Sequence, residues 1–142
     1  MTEWGSLTKR IDLWRASWEA FRERPLLGWG TGSILKAVER GLQKNGSKLS
    51  GLNMKPHNQF LCIMITLGVA GLIITMLLYA FFVFERKAHK SLMFILFLAV
   101  FLVNFLGNNS LESQPGQDLF VFFSMVYGYF YQPLKKEPGF SY

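Results

Sequence analysis

The sequence is short of cysteine, short of acid and, over one long central stretch, without charge of either sign. Its single Cys62 cannot close an internal disulfide, and because it lies in an apolar run it says nothing about redox compartment. Nine Asp and Glu face fifteen Lys and Arg, a net charge of +6, and ten of the fifteen cations fall in the first 58 residues. Residues 1–9 contain no apolar h-region, so no signal peptide is expected there. No His/Cys/Asp cluster has metal-ligand spacing, since Cys62 lies inside the apolar run and His89 beyond it; neither a metal nor another cofactor is expected. No serine or cysteine triad is visible.

The missing charge is the most informative absence. From Phe60 to Phe84, 25 positions, there is no Asp, Glu, Lys or Arg. A helix rising about 1.5 Å per residue crosses a hydrocarbon core of about 30 Å in about 20 residues. The expected fold class is therefore an all-α integral membrane protein, with two to three transmembrane helices preceded by an amphipathic helical segment on the outer side. The boundaries expected are 1–58 for amphipathic helices and loop, 59–134 for the membrane helices (about 60–84, 91–107 and 119–134), and 135–142 for a cytoplasmic tail.

In chain order, Leu7, Ile11, Trp14, Trp18 and Phe21 recur at helical spacing and predict a helix over 7–24 with those residues on one face. That face suits the membrane surface or neighbouring spans. Arg10 falls on its border, where a guanidinium can either snorkel or meet a ligand. Pro25 ends the helix. Gly28, Gly30 and Gly32 then predict a tight turn able to bring backbone N–H groups near a ligand. It is no P-loop, because no Gly-Lys-Ser/Thr follows. A short helix is expected over 33–44, with Ile34, Leu35, Val38 and Leu42 on one side, and an exposed loop over 45–53. In the first span Gly68, Ala70 and Gly71 make a small-residue patch where another helix could approach. Ser91 to Leu106 is a second span, Gly107 to Asp118 a polar connection, and the run from Leu119 a third. Arg86, Lys87, Lys90, Lys135 and Lys136 place the first hairpin and the C-terminus in the cytoplasm, so His57 and Glu112 share the outer side.

His57 sits where the polar loop hands over to the first span, with Asn58 able to cap. The positive end of the helix dipole disfavours imidazolium there, which suits a base; a polar interface anchor is the plainer reading. With Arg10 and Arg15, Glu112, Gln114, Asn108 and Asn109, the outer face suits an anionic substrate whose hydroxyl partner is to be activated.

The spacing His57-Asn58, nine residues, Gly68-x-x-Gly71 resembles the corresponding pattern of bacterial O-antigen ligases and related polysaccharide polymerases. Arg10-x-x-x-Trp14 followed by Pro25-Leu26-Leu27-Gly28-Trp29-Gly30 resembles that family's outer-loop signature. The segment from Asn108 to Gly116, with Glu112 and Gln114, resembles the approach to its last span. The resemblance implies a GT-C-like glycosyltransferase of the bacterial inner membrane, multi-pass, working on the periplasmic face. It implies an undecaprenyl-pyrophosphate-linked glycan donor and a lipid A–core or glycan acceptor, with no nucleic acid involved. Arg10 would hold the pyrophosphate and His57 activate the acceptor or steady the leaving group. Asn58, Arg15, Glu112 and Gln114 would contact substrate, with Trp14, Pro25, Gly28, Gly30, Gly68 and Gly71 as structural motif. Family members usually have ten or more spans, so the chain is expected to be a C-terminal portion whose N-terminal transmembrane helices are missing. A small non-catalytic membrane protein docking on partner helices is the reading from another class.

Overall fold

A computed structural model describes residues 5–85 and 91–126. The expected cytoplasmic hairpin with Arg86, Lys87 and Lys90, the end of the third span and the tail with Lys135 and Lys136 lie outside the described residues. Those described are helical, without strands: α1 (Ser6–Glu23), α2 (Ile34–Lys44), α3 (Gln59–Glu85), α4 (Leu92–Gly107) and α5 (Gln114–Met125). Short 3-10 turns, Thr31–Ser33 and Ser110–Glu112, lead into α2 and α5.

The α1 bounds match the periodicity, and the face it buries within the chain lies beside the apolar stripe, sharing Phe21 with it. Leu13, Ala16, Ser17, Ala20 and Phe21 are buried, while Leu7, Ile11 and Trp18 are exposed at 68%, 41% and 48%. The small residues win that face because α2 approaches α1 too closely for large ones. A Cβ on Gly41 would stand 2.1 Å from the Ala16 carbonyl oxygen. Gly41→Val is therefore expected to push the two helices apart and cost about 3 kcal/mol, read as a lowered thermal midpoint of the micelle-bound chain. The helices enclose a core of Leu13, Val38, Leu42 and Leu49, closed from the α3 side by Cys62 and Ile65. Burying each larger aliphatic contributes about 1.5–3 kcal/mol.

Polar contacts trim the same pair. Glu23 takes Lys44 and Arg40, the latter at 2.9 Å. The expected exposed loop over 45–53 is in part a packed turn: Leu49 is buried, Ser47 donates to Asp12, and Ser50 and the Gly51 N–H donate to Glu39. Hydrogen bonding from Lys44, joined by Arg40, holds Glu23 below the ordinary glutamate value of 4.5. The Ser50 hydroxyl and Gly51 amide do the same for Glu39. A depressed folded pKa contributes stability that is present above 4.5 and drains away as pH falls through the folded value. The thermal midpoint should thus drop between about pH 5 and pH 3, and a Glu23→Gln/Glu39→Gln variant should show a shallower drop.

α3 is the one described helix long and apolar enough to cross a membrane, and α4 is a shorter apolar helix. Outward-facing Ile73, Ile74, Leu77, Leu78 and Phe81 are exposed, unlike the core helix of a soluble fold. It is not continuous. Gly68 has φ 68° and ψ −164°, a conformation open essentially to glycine, and interrupts the ladder. The freed groups are matched from forty residues upstream. Trp29 N–H donates to Ile65 O (2.7 Å) and Gly30 N–H to Thr66 O (2.9 Å); Val69 N–H donates to Pro25 O (2.8 Å) and Ala70 N–H to Leu26 O (3.2 Å). The Gly68 patch therefore receives a loop, not another helix, and the Trp29 and Gly30 N–H groups of the glycine turn are spent on α3 instead of on a ligand. Trp29 Nε1 also donates to Ala20 O at 2.8 Å, locking the loop to α1.

On both sides of the break, aromatic rings hold the apolar helices together: Phe60 on Phe105, Tyr79 on Phe120, and Phe101 on Phe120. Ser91 caps α4 by accepting from Phe94 N–H. The polar connection is shorter than expected, because Pro115 in the first turn starts α5 at Gln114 and not near Leu119.

Candidate functional site

The five residues Lys55 to Gln59 form a strap across the mouth of α3, and four of them are tied down by partners from three directions. Lys55 Nζ donates to Glu112. The Pro56 carbonyl accepts from Trp14 Nε1 at 2.8 Å. Asn58 caps α3 by accepting from Leu61 N–H (3.1 Å), and its Nδ2 donates to Leu106 O (3.2 Å). Gln59 Oε1 accepts from Leu111 N–H at 3.1 Å. The bond to Glu112 holds the Lys55 ammonium above the ordinary lysine range despite partial burial.

The fifth residue is His57. It is exposed, has no hydrogen-bond partner among the described residues, and is held at φ 50°, a left-handed backbone uncommon outside glycine. Unfavourable backbone in a side chain that does nothing for the fold is a mark of functional placement. His57 borders two cavities. One, of about 360 Å³, also has Lys9, Arg10 and Asn108 on its walls. The other, of about 640 Å³, carries Lys55, Glu112 and a group of asparagines. Met54 and Asn108 border both.

Arg10 reaches this place because it lies one turn before Trp14 on α1, and Trp14 is anchored beside His57. Its Nη1 passes next to Gly107, at the carboxyl end of α4, where a Cβ would lie 3.5 Å away. The negative end of the α4 dipole suits a guanidinium at that point. Losing the Trp14 anchor should loosen both partners at once. Trp14→Phe removes one hydrogen bond, about 1 kcal/mol, and is expected to weaken anion binding at Arg10 several-fold in a phosphorus NMR titration, with helix content unchanged.

The structure thus brings Arg10, His57, Glu112 and the capping Asn58 into one neighbourhood. It does not bring the other two expected contacts there. Arg15 lies on a separate surface with Asp12, Trp18, Glu19 and Asn45. Gln114 opens α5, exposed, and borders neither His57 cavity. Sequence reasoning missed Lys9, Asn53, Met54, Lys55 and Asn104, although the positions of Lys55 beside His57 and Lys9 beside Arg10 could have flagged them. No three His, Cys, Asp or Glu among the described residues are placed to hold a metal.

Chemically, the arrangement offers an exposed imidazole with no hydrogen-bond partner among the described residues. The same cavity wall carries a guanidinium fork and a lysine, with no carboxylate among the described residues that line it. Such a cation pair receives oxyanions.

Comparison with known proteins bears on the same residues. A family model described as O-antigen ligase matches residues 1–76, more than half of the 142, and includes Arg10, Trp14, Gly28, Gly30, His57, Gly68 and Gly71. A protein of Rickettsia conorii provisionally named a polysaccharide ligase is 28% identical over 113 residues, covering 73% of this chain and 27% of that protein. The chain therefore spans 27% of the length of the curated relative it matches. No solved structure matches it.

Proposed function

The chain belongs to the O-antigen ligase family, and from that premise we propose that it is the C-terminal part of a membrane glycosyltransferase moving a glycan from undecaprenyl pyrophosphate to lipid A–core. The observation that carries the reading is the shared cavity of His57 and Arg10, with Lys9 beside them.

In this reading a hydroxyl oxygen of the acceptor attacks the anomeric carbon of the donor glycan. The bond from that carbon to the pyrophosphate oxygen breaks, and the hydroxyl proton passes to the His57 imidazole. Arg10 forks two oxygens of the departing pyrophosphate and carries its charge at any working pH. Trp14 through Pro56, Lys55 through Glu112 and Asn58 through Leu106 hold the strap so that the imidazole stays between the two reactants. Asn58 and Glu112 act on substrate through that positioning.

The enzyme is a multi-pass protein of the bacterial inner membrane with His57 on the periplasmic face. α3 crosses the bilayer, with α4 and α5 beside it. Loop 25–30 lies at membrane depth, where irregular backbone is tolerated only if protein groups satisfy it, as the four bonds to α3 do. Further N-terminal spans, such as the much longer relative has room for, complete the cavity walls. A polymerase of the same family would use the same two residues with another lipid-linked glycan as acceptor.

The test is to complement a ligase-deficient strain with the full-length protein and with its His57→Ala and Arg10→Ala forms. Each variant should fail to attach glycan to lipid A–core while remaining in the membrane. Full attachment by both would overturn the assignment. Supplying a lipid-linked glycan acceptor to the purified enzyme separates polymerase from ligase.

A further inference from the structure

The two cavities on His57 differ in chemistry, and the larger one is not used by the pyrophosphate side of the reaction. We propose that the cavity of about 640 Å³ is a carbohydrate subsite read by Asn53, Asn104, Asn108 and Asn109, while the cationic cavity of Lys9 and Arg10 takes the phosphate group. The assignment rests on the glycan-transfer reading and adds the ligand class and the residues that select it.

A site for an anion concentrates uncompensated cations. This cavity does not, because Lys55 is neutralised by Glu112 on the same wall. What remains is four carboxamides and two hydroxyls, Ser110 and Ser113. A carboxamide presents a donor pair and an acceptor together, and a sugar hydroxyl likewise both donates and accepts.

The amides are also unspent. The side chains of Asn53 and Asn108 make no hydrogen bond among the described residues. Asn104 Oδ1 accepts from the Ser110 hydroxyl, leaving its N–H pair unused. Asn109 Oδ1 is shut off from solvent and has no donor among the described residues. Unsatisfied buried acceptors are costly and uncommon in folded proteins. Asn53, at φ 50°, has a left-handed backbone that asparagine tolerates, and its side chain is exposed. His57 lies at the border of both cavities, so a hydroxyl bound among the amides and a phosphate bound at Arg10 would meet at the imidazole.

The test uses the full-length protein in detergent micelles with two soluble probes, maltotriose followed by saturation-transfer NMR and inorganic pyrophosphate followed by phosphorus NMR. Both should bind, without displacing one another. Asn104→Ala and Asn109→Ala should each weaken maltotriose about fivefold and leave pyrophosphate unchanged, whereas Arg10→Ala should do the reverse. Asn53→Gly guards against a folding artefact, since glycine accepts the left-handed backbone while removing the amide. It too should weaken maltotriose alone. Displacement of maltotriose by pyrophosphate, failure of maltotriose to bind, or asparagine variants that leave maltotriose unaffected or weaken both probes would overturn the subsite. If maltotriose binds in the asparagine-dependent way but pyrophosphate does not bind, the subsite stands and the donor-binding reading of Arg10 falls. A short-alkyl glucosyl pyrophosphate identifies the source of the glycan: displacing maltotriose assigns the subsite to the donor sugar, and binding alongside it assigns the subsite to the acceptor.

Discussion

Gly68→Ala should unfold the joint between loop 25–30 and α3, with a loss of about 4 kcal/mol or more and a collapse of any activity the chain supports. Three costs coincide at this one atom. The alanine Cβ would sit 2.3 Å from the Leu26 carbonyl oxygen, which is backbone and has no rotamer to yield. The residue would have to hold φ 68° and ψ −164°, which side-chain-bearing residues avoid. If the loop retreats to relieve the clash, the four backbone bonds joining Pro25, Leu26, Trp29 and Gly30 to α3 open, each stranded group costing about 1–3 kcal/mol away from water. Gly28→Ala should fail similarly from the other side, its Cβ falling 2.6 Å from Ile65 O. Limited proteolysis between α1 and α2, together with thermal melts, would measure the effect. A Gly68→Ala chain as protease-resistant and as thermostable as wild type would show that the joint is not what holds loop and helix together.

The second large effect is on chemistry with the fold intact. His57→Gly should lower glycan transfer by about 10²–10⁴-fold, the usual contribution of a positioned base, while leaving the thermal midpoint equal to or above wild type. Ordinary active-site deletions confound lost chemistry with lost stability; the backbone separates them here. At φ 50° the histidine is under strain of about 1 kcal/mol, and glycine relieves it. His57→Asn is the control, because asparagine tolerates the same backbone but provides no base. Transfer at wild-type rates by either variant of the full-length protein would reduce His57 to an interface anchor.

Much of the local structure was legible. The bounds of α1 and α2, the apolar run of α3 and the capping position of Asn58 follow from period, proline and charge, all of which act within a few residues. The face of α1 that packs on α2 was not legible, because Ala16, Ser17 and Ala20 carry little hydropathic signal and their burial depends on Gly41 of another helix. The stripe of Leu7, Ile11 and Trp18, which suits a membrane surface or neighbouring spans, is exposed among the described residues.

The break in α3 was invisible for a related reason. Gly68 lies amid uninterrupted apolar residues, and a glycine in such a run reads as a packing notch. Only the bonds from Pro25, Leu26, Trp29 and Gly30 show that two glycine motifs forty residues apart form one joint. The site divides likewise. His57, Arg10 and the spacing to Gly68 could be picked out from the string, but not that Arg10 shares a cavity with His57 while Arg15 lies on a separate surface. Trp14 decides it by fastening α1 to the Pro56 carbonyl, and the turn before Trp14 carries Arg10, while Arg15 points elsewhere. By itself the sequence determined which segments are helical, which is apolar enough to span a membrane and which family pattern surrounds His57. Tertiary structure alone decided which faces are buried, where α3 breaks and which cations share a cavity with the histidine. Those depend on hydrogen bonds and close approaches between distant segments, for which no local periodicity carries a record.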